Sequence, residues 1–536
     1  MRPFPVQTLL AVAVIISSFA TLVQRPQISA LVQQISALVQ EAPEVRETSL
    51  PAKAKKKFRA EPAATIKGRL VGPVPWKQWS DRLPKVSYED LEWRQPLGRV
   101  PFYMYDDEEW DALMNVPFQC VNHEKICAEF MFLHQLRFHP WRVKHIEKAA
   151  VVVLPIITSD FSTHGRNLRK KNQEEIKAKF KQIRKMIDPH KPHVVYIGDW
   201  VMRDIMGKLD WEPVSDFIIV SEALFSWSHK KLPKSARVFH AGLSTWNAQL
   251  LESLPARSQW AISPKEFKTR KYLFNFFGRA DSRNRYYLRT LMLSQFSKVN
   301  EPSVITLVRS KELRERLHLP PCELKGIDQT DWKGCHVNKR VLNFSEEEYL
   351  MRNSKFVLIT RGDDGGSQRI HQAGRLGAML VIIGRATVQE GLPFHCLIPW
   401  DSIAYIFPNQ EILKDGTALE MVLQRINEES NEEFERRLRL YQLHVPDFVW
   451  EVENSRVAEN ILIEAARRTP PDQLAQSGLS QMDLKCVTGG LDLKFEDWAG
   501  VERPDLEMTS TSTTESTVSS VKVPTDSTLT AESINQ

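Results

Sequence analysis

The sequence has little of what marks metal-binding or nucleic-acid-binding proteins. Its six cysteines do not stand at the Cys/His spacings of zinc sites. The formal net charge of +6 is small for 536 residues, and much of that excess lies in the run KAKKKFR at 53–59. A short charged run is typical of a solvated tether, so the charge gives no indication of a nucleic-acid partner.

The N-terminus carries a long apolar run. After Arg2, residues 4–23 are mostly apolar and without charge, and about twenty residues span a bilayer as a helix. This predicts a single-pass anchor over 1–24. A cleaved signal peptide is the alternative, because Ser18-Phe19-Ala20 fits a small-x-small cleavage site. Either one sends the chain into the secretory pathway, where disulfides form.

Two pairs of cysteines are close enough in sequence to suggest disulfides. They are Cys120–Cys127 and Cys322–Cys335, with free buried thiols as the alternative for each. The redox state of the thiols is therefore left open by the sequence.

The two ends of the chain predict little folded structure. Residues 25–97 contain a tandem repeat of QISALVQ and then Pro- and Lys-rich sequence, which indicates a stem and linker. Residues 471–536 are rich in serine and threonine and predict a disordered tail.

Between these ends, short apolar runs alternate with polar segments of helical length, such as 166–187. Continuous runs of valine and isoleucine are typical of strands buried on both faces of a parallel sheet, which predicts an α/β fold. The strand candidates form two sets: 100–105, 149–156, 193–199 and 216–223, then 271–278, 303–308, 355–360, 378–384 and 403–407.

The two sets predict two facing, doubly wound, Rossmann-like domains, at 98–262 and 263–470. Ligands of such sheets bind beyond the carboxyl ends of the strands. We therefore expect a cleft between the domains, lined by the loops that follow the strands.

The loop RGDDGGSQR at 361–369 follows a predicted strand in the second domain. Gly365 and Gly366 allow close approach of a ligand to the backbone, and a helix is predicted to begin near Ser367. Helix N-termini favour anions, and Arg361 and Arg369 can pair with phosphate oxygens in a bidentate manner. The loop therefore predicts a diphosphate site.

Two other interpretations of this loop remain open. Asp363 and Asp364 could bind a metal, but they are adjacent and no third ligand follows at calcium-loop spacing. The loop could also be a plain strand-to-helix turn, with Ala373, Gly374 and Gly377 packing the helix onto the sheet.

A second turn of similar composition favours the diphosphate interpretation. Gly278 ends a predicted strand, and Arg279, Arg283 and Arg285 follow it. An enzyme that expels a nucleoside diphosphate without a metal needs fixed cations, because charge develops on the leaving phosphate. The alternative for each arginine is a solvated helix face.

Residues 349–400 resemble the exostosin-type glycosyltransferases, family 47. The resemblance covers most of 98–450 and is firm over 271–400. The positions in register with the family's segments are Phe276, Gly278, Arg283, Asn284, Ser354, Phe356, Leu358, Arg361, Gly362, Ser367, Arg369, Ala373, Leu392, Pro393, Phe394 and Trp400.

The resemblance implies two facing Rossmann-like domains of GT-B type, with a UDP-sugar bound mainly by the second. It implies inverting, metal-independent transfer without a cofactor, to a glycan or glycoprotein acceptor. It also implies that Arg283, Arg361 and Arg369 hold the diphosphate, with Ser367 at the helix start. Together with the N-terminal segment, the resemblance predicts a single-pass type II protein of the Golgi membrane. The alternative is a protein of the ER lumen, or one secreted after signal cleavage. The resemblance is also compatible with a homo- or heterodimer.

The sequence departs from the family at one donor-binding position. The acid expected to bind the ribose is Gln372 here. A charge-assisted hydrogen bond contributes about 1.5–3 kcal/mol against about 0.5–1.5 for a neutral one, so this change predicts weaker donor binding, not its loss.

Three carboxylates are candidates for the base that deprotonates the acceptor. Asp199, Asp160 and Glu222 each follow a predicted strand of the first domain, and Asp199 is preferred. A structural role is the alternative for each. At the level of the whole protein, a glycosyltransferase competes with a catalytically inactive paralogue that assists an active partner, and with a lectin-like glycan binder.

Overall fold

The structure is a computed structural model, and the residues it describes belong to one compact unit within 71–536. It describes residues 76–81, 99–107, 110, 128–157, 169–198, 216–221, 237–241, 260–276, 278, 289, 295, 299, 303–306, 321–322, 335–337, 344–360, 367–384, 388, 391–407 and 417–479.

A first parallel sheet is built from five described strands in chain order. They are β1 (Phe102–Met104), β2 (Val151–Val153), β3 (His193–Ile197), β4 (Ile218–Ser221) and β5 (Arg237–His240). The helices described alongside them are α1 (Trp76–Ser80), α2 (Ala128–Leu136) and α3 (Arg169–Met186).

Helices cover both faces of this sheet. Side chains alternate along a strand, so His193 and Tyr196 of β3 point to opposite faces. His193 lies near the Phe217 ring, which contacts Phe180 of α3. Tyr196 lies against Phe132 of α2. Burial on both faces explains why these strands read as continuous apolar runs.

A second parallel sheet has the strand order β12-β11-β10-β6-β7-β9-β8. Its strands are β6 (Tyr272–Phe276), β7 (Val304–Thr306), β8 (Pro321–Cys322), β9 (Cys335–Val337), β10 (Ser354–Thr360), β11 (Met379–Ile383) and β12 (Tyr405–Phe407). From β6 the chain forms β7, β8 and β9 on one side, with β9 between β7 and β8, and then forms β10, β11 and β12 on the other side. This sheet is therefore doubly wound, as predicted.

The helices that accompany the second sheet follow the same chain order. They are α4 (Pro264–Lys268), α5 (Phe344–Arg352), α6 (Gln368–Arg375), α7 (Trp400–Ile403), α8 (Ala418–Glu428) and α9 (Asn431–Phe448). After them come α10 (Val457–Arg467) and α11 (Pro471–Ala475).

Helix α10 packs on the first sheet, although it follows the second in the chain. It contacts α2 and β2. Its buried Glu459 accepts a hydrogen bond from His139 Nε2 at 3.0 Å, while His139 Nδ1 accepts from the Trp141 amide at 3.1 Å. Gln135 Oε1 accepts from the Ala458 amide at 3.3 Å and so caps α10 from α2.

The structure shows one helix inside the predicted linker and one at the start of the predicted tail. Residues 76–81, predicted as linker, form α1, whose Ser80 hydroxyl lies 2.9 Å from His134 Nδ1 of α2. Residues 471–475, predicted as tail, form α11, whose Leu474 is fully buried. Both segments supply a large apolar side chain to the core, Trp76 and Leu474, and this burial stabilises the two helices.

The predicted strands are confirmed where the structure describes them, but three strands were missed. These are β5, β8 and β9, each of two to four residues. The first sheet also differs from the prediction, since its described strands show no reversal of order.

The described residues test the membrane and redox predictions in part. None of the helices within those residues is long and apolar enough to cross a membrane, and 4–23 lies outside them. Cys396 is disulfide-bonded. Cys322 pairs with Val337 in the sheet register, and the two suggested cysteine pairs stay predictions.

Candidate functional site

The reversal of strand order lies between β6 and β10. These strands pair in parallel, with Phe356 opposite Phe274. The chain leaves β6 towards β7 on one side and leaves β10 towards β11 on the other. Open α/β sheets bind ligands at such a reversal, beyond the carboxyl ends of the strands. Both turns singled out in the sequence begin here, after Phe276 and after Thr360.

Ser367 is the N-cap of α6, as the sequence predicted for the helix start. Its backbone is extended, with φ −143° and ψ 123°, and its Oγ accepts from the Arg369 amide at 3.3 Å. Its carbonyl oxygen accepts from the Ile370 amide at 3.1 Å. The cap thus satisfies part of the helix terminus that was expected to face an anion.

Arg369 forms a bidentate ion pair with Glu347 of α5. Its Nη1 and Nη2 donate to the two carboxylate oxygens at 2.6 and 3.0 Å. The same Nη1 donates to Gln372 Oε1 at 2.5 Å. A bidentate arginine–carboxylate pair is directional and charge-assisted. A phosphate that approached Arg369 would therefore have to share or replace Glu347.

A second pair joins the same two helices deeper in the core. Arg375 Nη2 donates to Glu348 Oε1, and the Arg375 side chain has no exposed surface. Helix α5 begins at Phe344, and Glu348 on its second turn binds α6.

Helix α6 is held closely against the end of α9. His371 Nδ1 donates to the Phe448 carbonyl at 2.6 Å, and burial lowers the pKa of His371 to about 4. A Cβ on Gly374 would lie 2.8 Å from Val449 Cγ2 and 2.9 Å from Phe448 Cε2. Gly374 thus permits the close packing that fixes the position of Ser367 and Arg369.

Arg289 lies at the ends of β6 and β10 and was missed in the sequence. Its guanidinium carbon is 5.8 Å from the centroid of the Phe276 ring. Its Nη1 is 3.0 Å from where a Cβ on Gly278 would stand, and its Nη2 reaches the Thr360 carbonyl at 3.5 Å. It was overlooked because it is the last of several arginines in 279–289 and lies furthest from the predicted turn.

The first sheet places a buried carboxylate at the end of β3. Glu129 of α2 is fully buried, and its Oε1 accepts from the Gly198 amide at 2.7 Å. Gly198 immediately precedes the preferred base candidate Asp199. Glu129 therefore holds the backbone of Gly198 at the end of β3. A lone glutamate in an apolar helix, AEFMFLHQL, was the available signal.

Many of the predicted site residues lie outside the described residues, so their roles stay predictions. They are Asp160, Asp199, Glu222, Arg279, Arg283, Arg361, Gly365 and Gly366. The strands that precede the three carboxylates, β2, β3 and β4, are parallel neighbours, so their carboxyl ends share one edge. Within the described part of the chain, no group of three or more histidine, cysteine or acidic side chains could hold a metal.

No family model and no curated protein sequence matches the chain. Among solved structures, it is similar to an alpha-glucosyltransferase in complex with UDP and DNA, at 13% identity over 59% of this chain and 80% of that chain, with a TM-score of 0.34. A UDP-N-acetylglucosamine 2-epimerase from Listeria monocytogenes is 9% identical over 68% and 95%, with a TM-score of 0.31. The trehalose-6-phosphate synthase OtsA is 10% identical over 55% and 76%, with a TM-score of 0.30. At these scores the similarity carries no argument about function, and the resemblance to exostosin-type enzymes stays a prediction.

Proposed function

We propose that the chain is a glycosyltransferase of the secretory pathway. It transfers a hexosyl or pentosyl group from a nucleotide-sugar, a UDP-sugar by the resemblance, to a glycan or glycoprotein. The observation that carries the proposal is the reversal of strand order between β6 and β10. Glycine and arginine residues follow both strands, and this composition suits a diphosphate.

The proposal includes a chemistry without a metal or a cofactor. Arginines of the second sheet would stabilise the charge that develops on the leaving diphosphate. A carboxylate after β2, β3 or β4 would deprotonate the acceptor, with Asp199 preferred because Glu129 fixes the preceding residue. This requires the carboxyl edges of the two sheets to face one cleft, as expected from the sequence. Inversion at the anomeric carbon follows from direct displacement by the acceptor oxygen.

A Golgi membrane location, single-pass and type II, belongs to the same proposal. The disulfide at Cys396 supports an oxidising compartment. Co-localisation of the full chain with a Golgi marker, together with protection of a C-terminal tag from external protease, tests the location. Access of protease to the tag in sealed vesicles contradicts it.

Calorimetric titration of residues 71–536 with UDP and a panel of UDP-sugars tests the function. We expect binding that Arg369→Ala weakens at least about tenfold, because a charge-assisted pair to phosphate is lost. Arg436→Ala is the matched control, since Arg436 makes an exposed ion pair with Glu433 on α9. No binding, or binding unaffected by Arg369→Ala, counts against the proposal.

A catalytically inactive partner of an active glycosyltransferase is the second candidate. The ion pair from Glu347 to Arg369, with the amide of Gln372 on the same nitrogen, favours it, because these contacts occupy a predicted phosphate ligand. This candidate predicts neither sugar transfer nor donor hydrolysis from any nucleotide-sugar, while an active enzyme co-purifies with the chain. Turnover by the chain purified alone excludes it.

A further inference from the structure

Among the described residues, Arg289 is a further cation at the strand-order reversal, and the resemblance to exostosin-type enzymes did not single it out. It lies where the ends of β6 and β10 meet. The Phe276 ring of β6 lies on one side of the guanidinium, and the carbonyl of Thr360, the last residue of β10, accepts from Nη2 at 3.5 Å. Arg289 is partly buried, so part of the side chain reaches the surface.

Gly278 leaves room for this placement. The Arg289 guanidinium lies where a side chain at 278 would begin, with Nη1 at 3.0 Å and the guanidinium carbon at 3.4 Å from an added Cβ. The Arg289 guanidinium is therefore held between the Phe276 ring, the backbone at Gly278 and the carbonyl oxygen of Thr360. A side chain ordered before binding loses little conformational entropy when a ligand arrives, which favours recognition of an anion.

Thr360 gives an independent indication of a ligand at the same place. The residue is 2% exposed, and its Oγ1 makes no hydrogen bond to any of the residues that the structure describes. A buried hydroxyl without a partner costs free energy, which an incoming hydrogen-bonding group would offset. The Oγ1 and the carbonyl oxygen that accepts from Arg289 both belong to Thr360, at the end of β10.

From these contacts we propose that Arg289 binds a phosphate oxygen of the nucleotide and that the Thr360 hydroxyl donates a hydrogen bond to the same ligand. Gly278 and Phe276 are positioning residues for Arg289. This inference rests on the proposed function and adds two ligand contacts to it.

Calorimetry with UDP tests the inference on residues 71–536. Arg289→Met keeps most of the packing against Phe276 and removes the charge, so UDP affinity falls at least about tenfold. Gly278→Ala keeps the charge and displaces it, so affinity falls as well. Thr360→Val removes only the hydroxyl, so affinity falls several-fold while the melting temperature is maintained or rises, because an unpartnered buried group is lost. Arg436→Met is the control on an exposed helix face.

The outcomes separate the inference from the proposed function. Wild-type binding that is lost in Arg289→Met, with the melting temperature preserved, supports both. Wild-type binding that persists in Arg289→Met and in Gly278→Ala overturns the inference alone and makes Arg289 a structural link between β6 and β10. If Arg289→Met is too unstable to titrate, unchanged affinity in Thr360→Val and Gly278→Ala overturns the inference. Absence of UDP binding by the wild-type chain overturns both.

Discussion

Two adjacent glutamates of α5, Glu347 and Glu348, each bind an arginine of α6, but in different surroundings. The Glu347–Arg369 pair retains 15% and 19% side-chain exposure, whereas Arg375, bound by Glu348, is fully buried. Solvent screens the first pair in part and the second hardly at all.

Replacing each glutamate by glutamine should therefore have unequal effects on stability. Glu348→Gln leaves a buried guanidinium without its carboxylate and is expected to cost about 3–5 kcal/mol. Glu347→Gln is expected to cost about 1 kcal/mol or less. Urea denaturation of both variants measures the difference. Equal losses would show that burial does not separate the two pairs.

The same Glu347→Gln variant has an expected effect on ligand binding. Because Glu347 competes with any phosphate for Arg369, removing its charge should tighten UDP binding several-fold. Titration of wild type and Glu347→Gln side by side checks this. Weaker binding would instead mean that Glu347 orients Arg369 for the ligand.

Buried histidines give stability a defined dependence on pH. Burial lowers the pKa of both His371 and His193 to about 4, from 6.5. As pH falls below 6.5, these histidines become protonated in the unfolded chain but stay neutral in the folded chain. The free energy of unfolding therefore decreases until about pH 4. Each histidine contributes roughly 3 kcal/mol to this loss.

Denaturation midpoints measured from pH 7 to 4 check the dependence. His371→Asn can keep a donor for the Phe448 carbonyl while removing the titration. Between pH 7 and 4 the free energy of unfolding of this variant should therefore fall by roughly 3 kcal/mol less than that of the wild type. A slope identical to that of the wild type would place the titration elsewhere.

At the scale of the elements, the contact between α6 and the end of α9 has almost no spare volume. Gly374→Ala is expected to destabilise the fold by about 1–3 kcal/mol, because the new methyl group overlaps Val449 and Phe448. Val449→Ala in the same chain should restore part of that loss by making room, and a double-mutant cycle measures the coupling. Full additivity would rule out the overlap.

The sequence was sufficient for elements with a strong pattern of their own. Runs of valine and isoleucine identified β2, β3, β10 and β11, and Ser367 with the preceding glycines indicated the start of α6. The pattern fails for β8, which has two residues and begins with a proline. Such strands form because a neighbour pairs with them, and pairing does not appear in a local window.

The site was predictable only in part, for a similar reason. The turns after β6 and β10 have recognisable composition, but the partners of their side chains come from distant segments. Glu347 lies 22 positions before Arg369, and Thr360 lies 71 after Arg289. The pairing of β6 with β10 brings Thr360 close to Arg289, and the packing of α5 on α6 brings Glu347 to Arg369.

At the scale of the whole molecule, α10 ties the end of the chain to the first sheet. His139 and Glu459 are separated by 320 positions, and both side chains are buried. Arg237 of β5 donates to the Arg468 carbonyl, and the Arg468 guanidinium lies over the Phe239 ring. The predicted boundary at 262 would therefore separate the first sheet from one of its covering helices.

Truncation tests this dependence. A chain that ends at Arg456 lacks α10 and α11 and exposes the apolar surface of α2 and β2. We expect a lower melting temperature and binding of a hydrophobic dye. A chain that ends at Leu479 is the matched control and should melt like the full chain. Equal stability of the two truncations would contradict a structural role for α10.

The late position of α10 in the chain also determines how long the first sheet lacks this helix during translation. Strand β5 ends at His240 and α10 begins at Val457, so about 200 residues are translated between them. At ribosomal rates of about 5–20 residues per second, this corresponds to roughly ten to forty seconds. Throughout that interval the apolar surface of α2 and β2 that α10 later covers is exposed, and chaperones or other nascent chains can bind it.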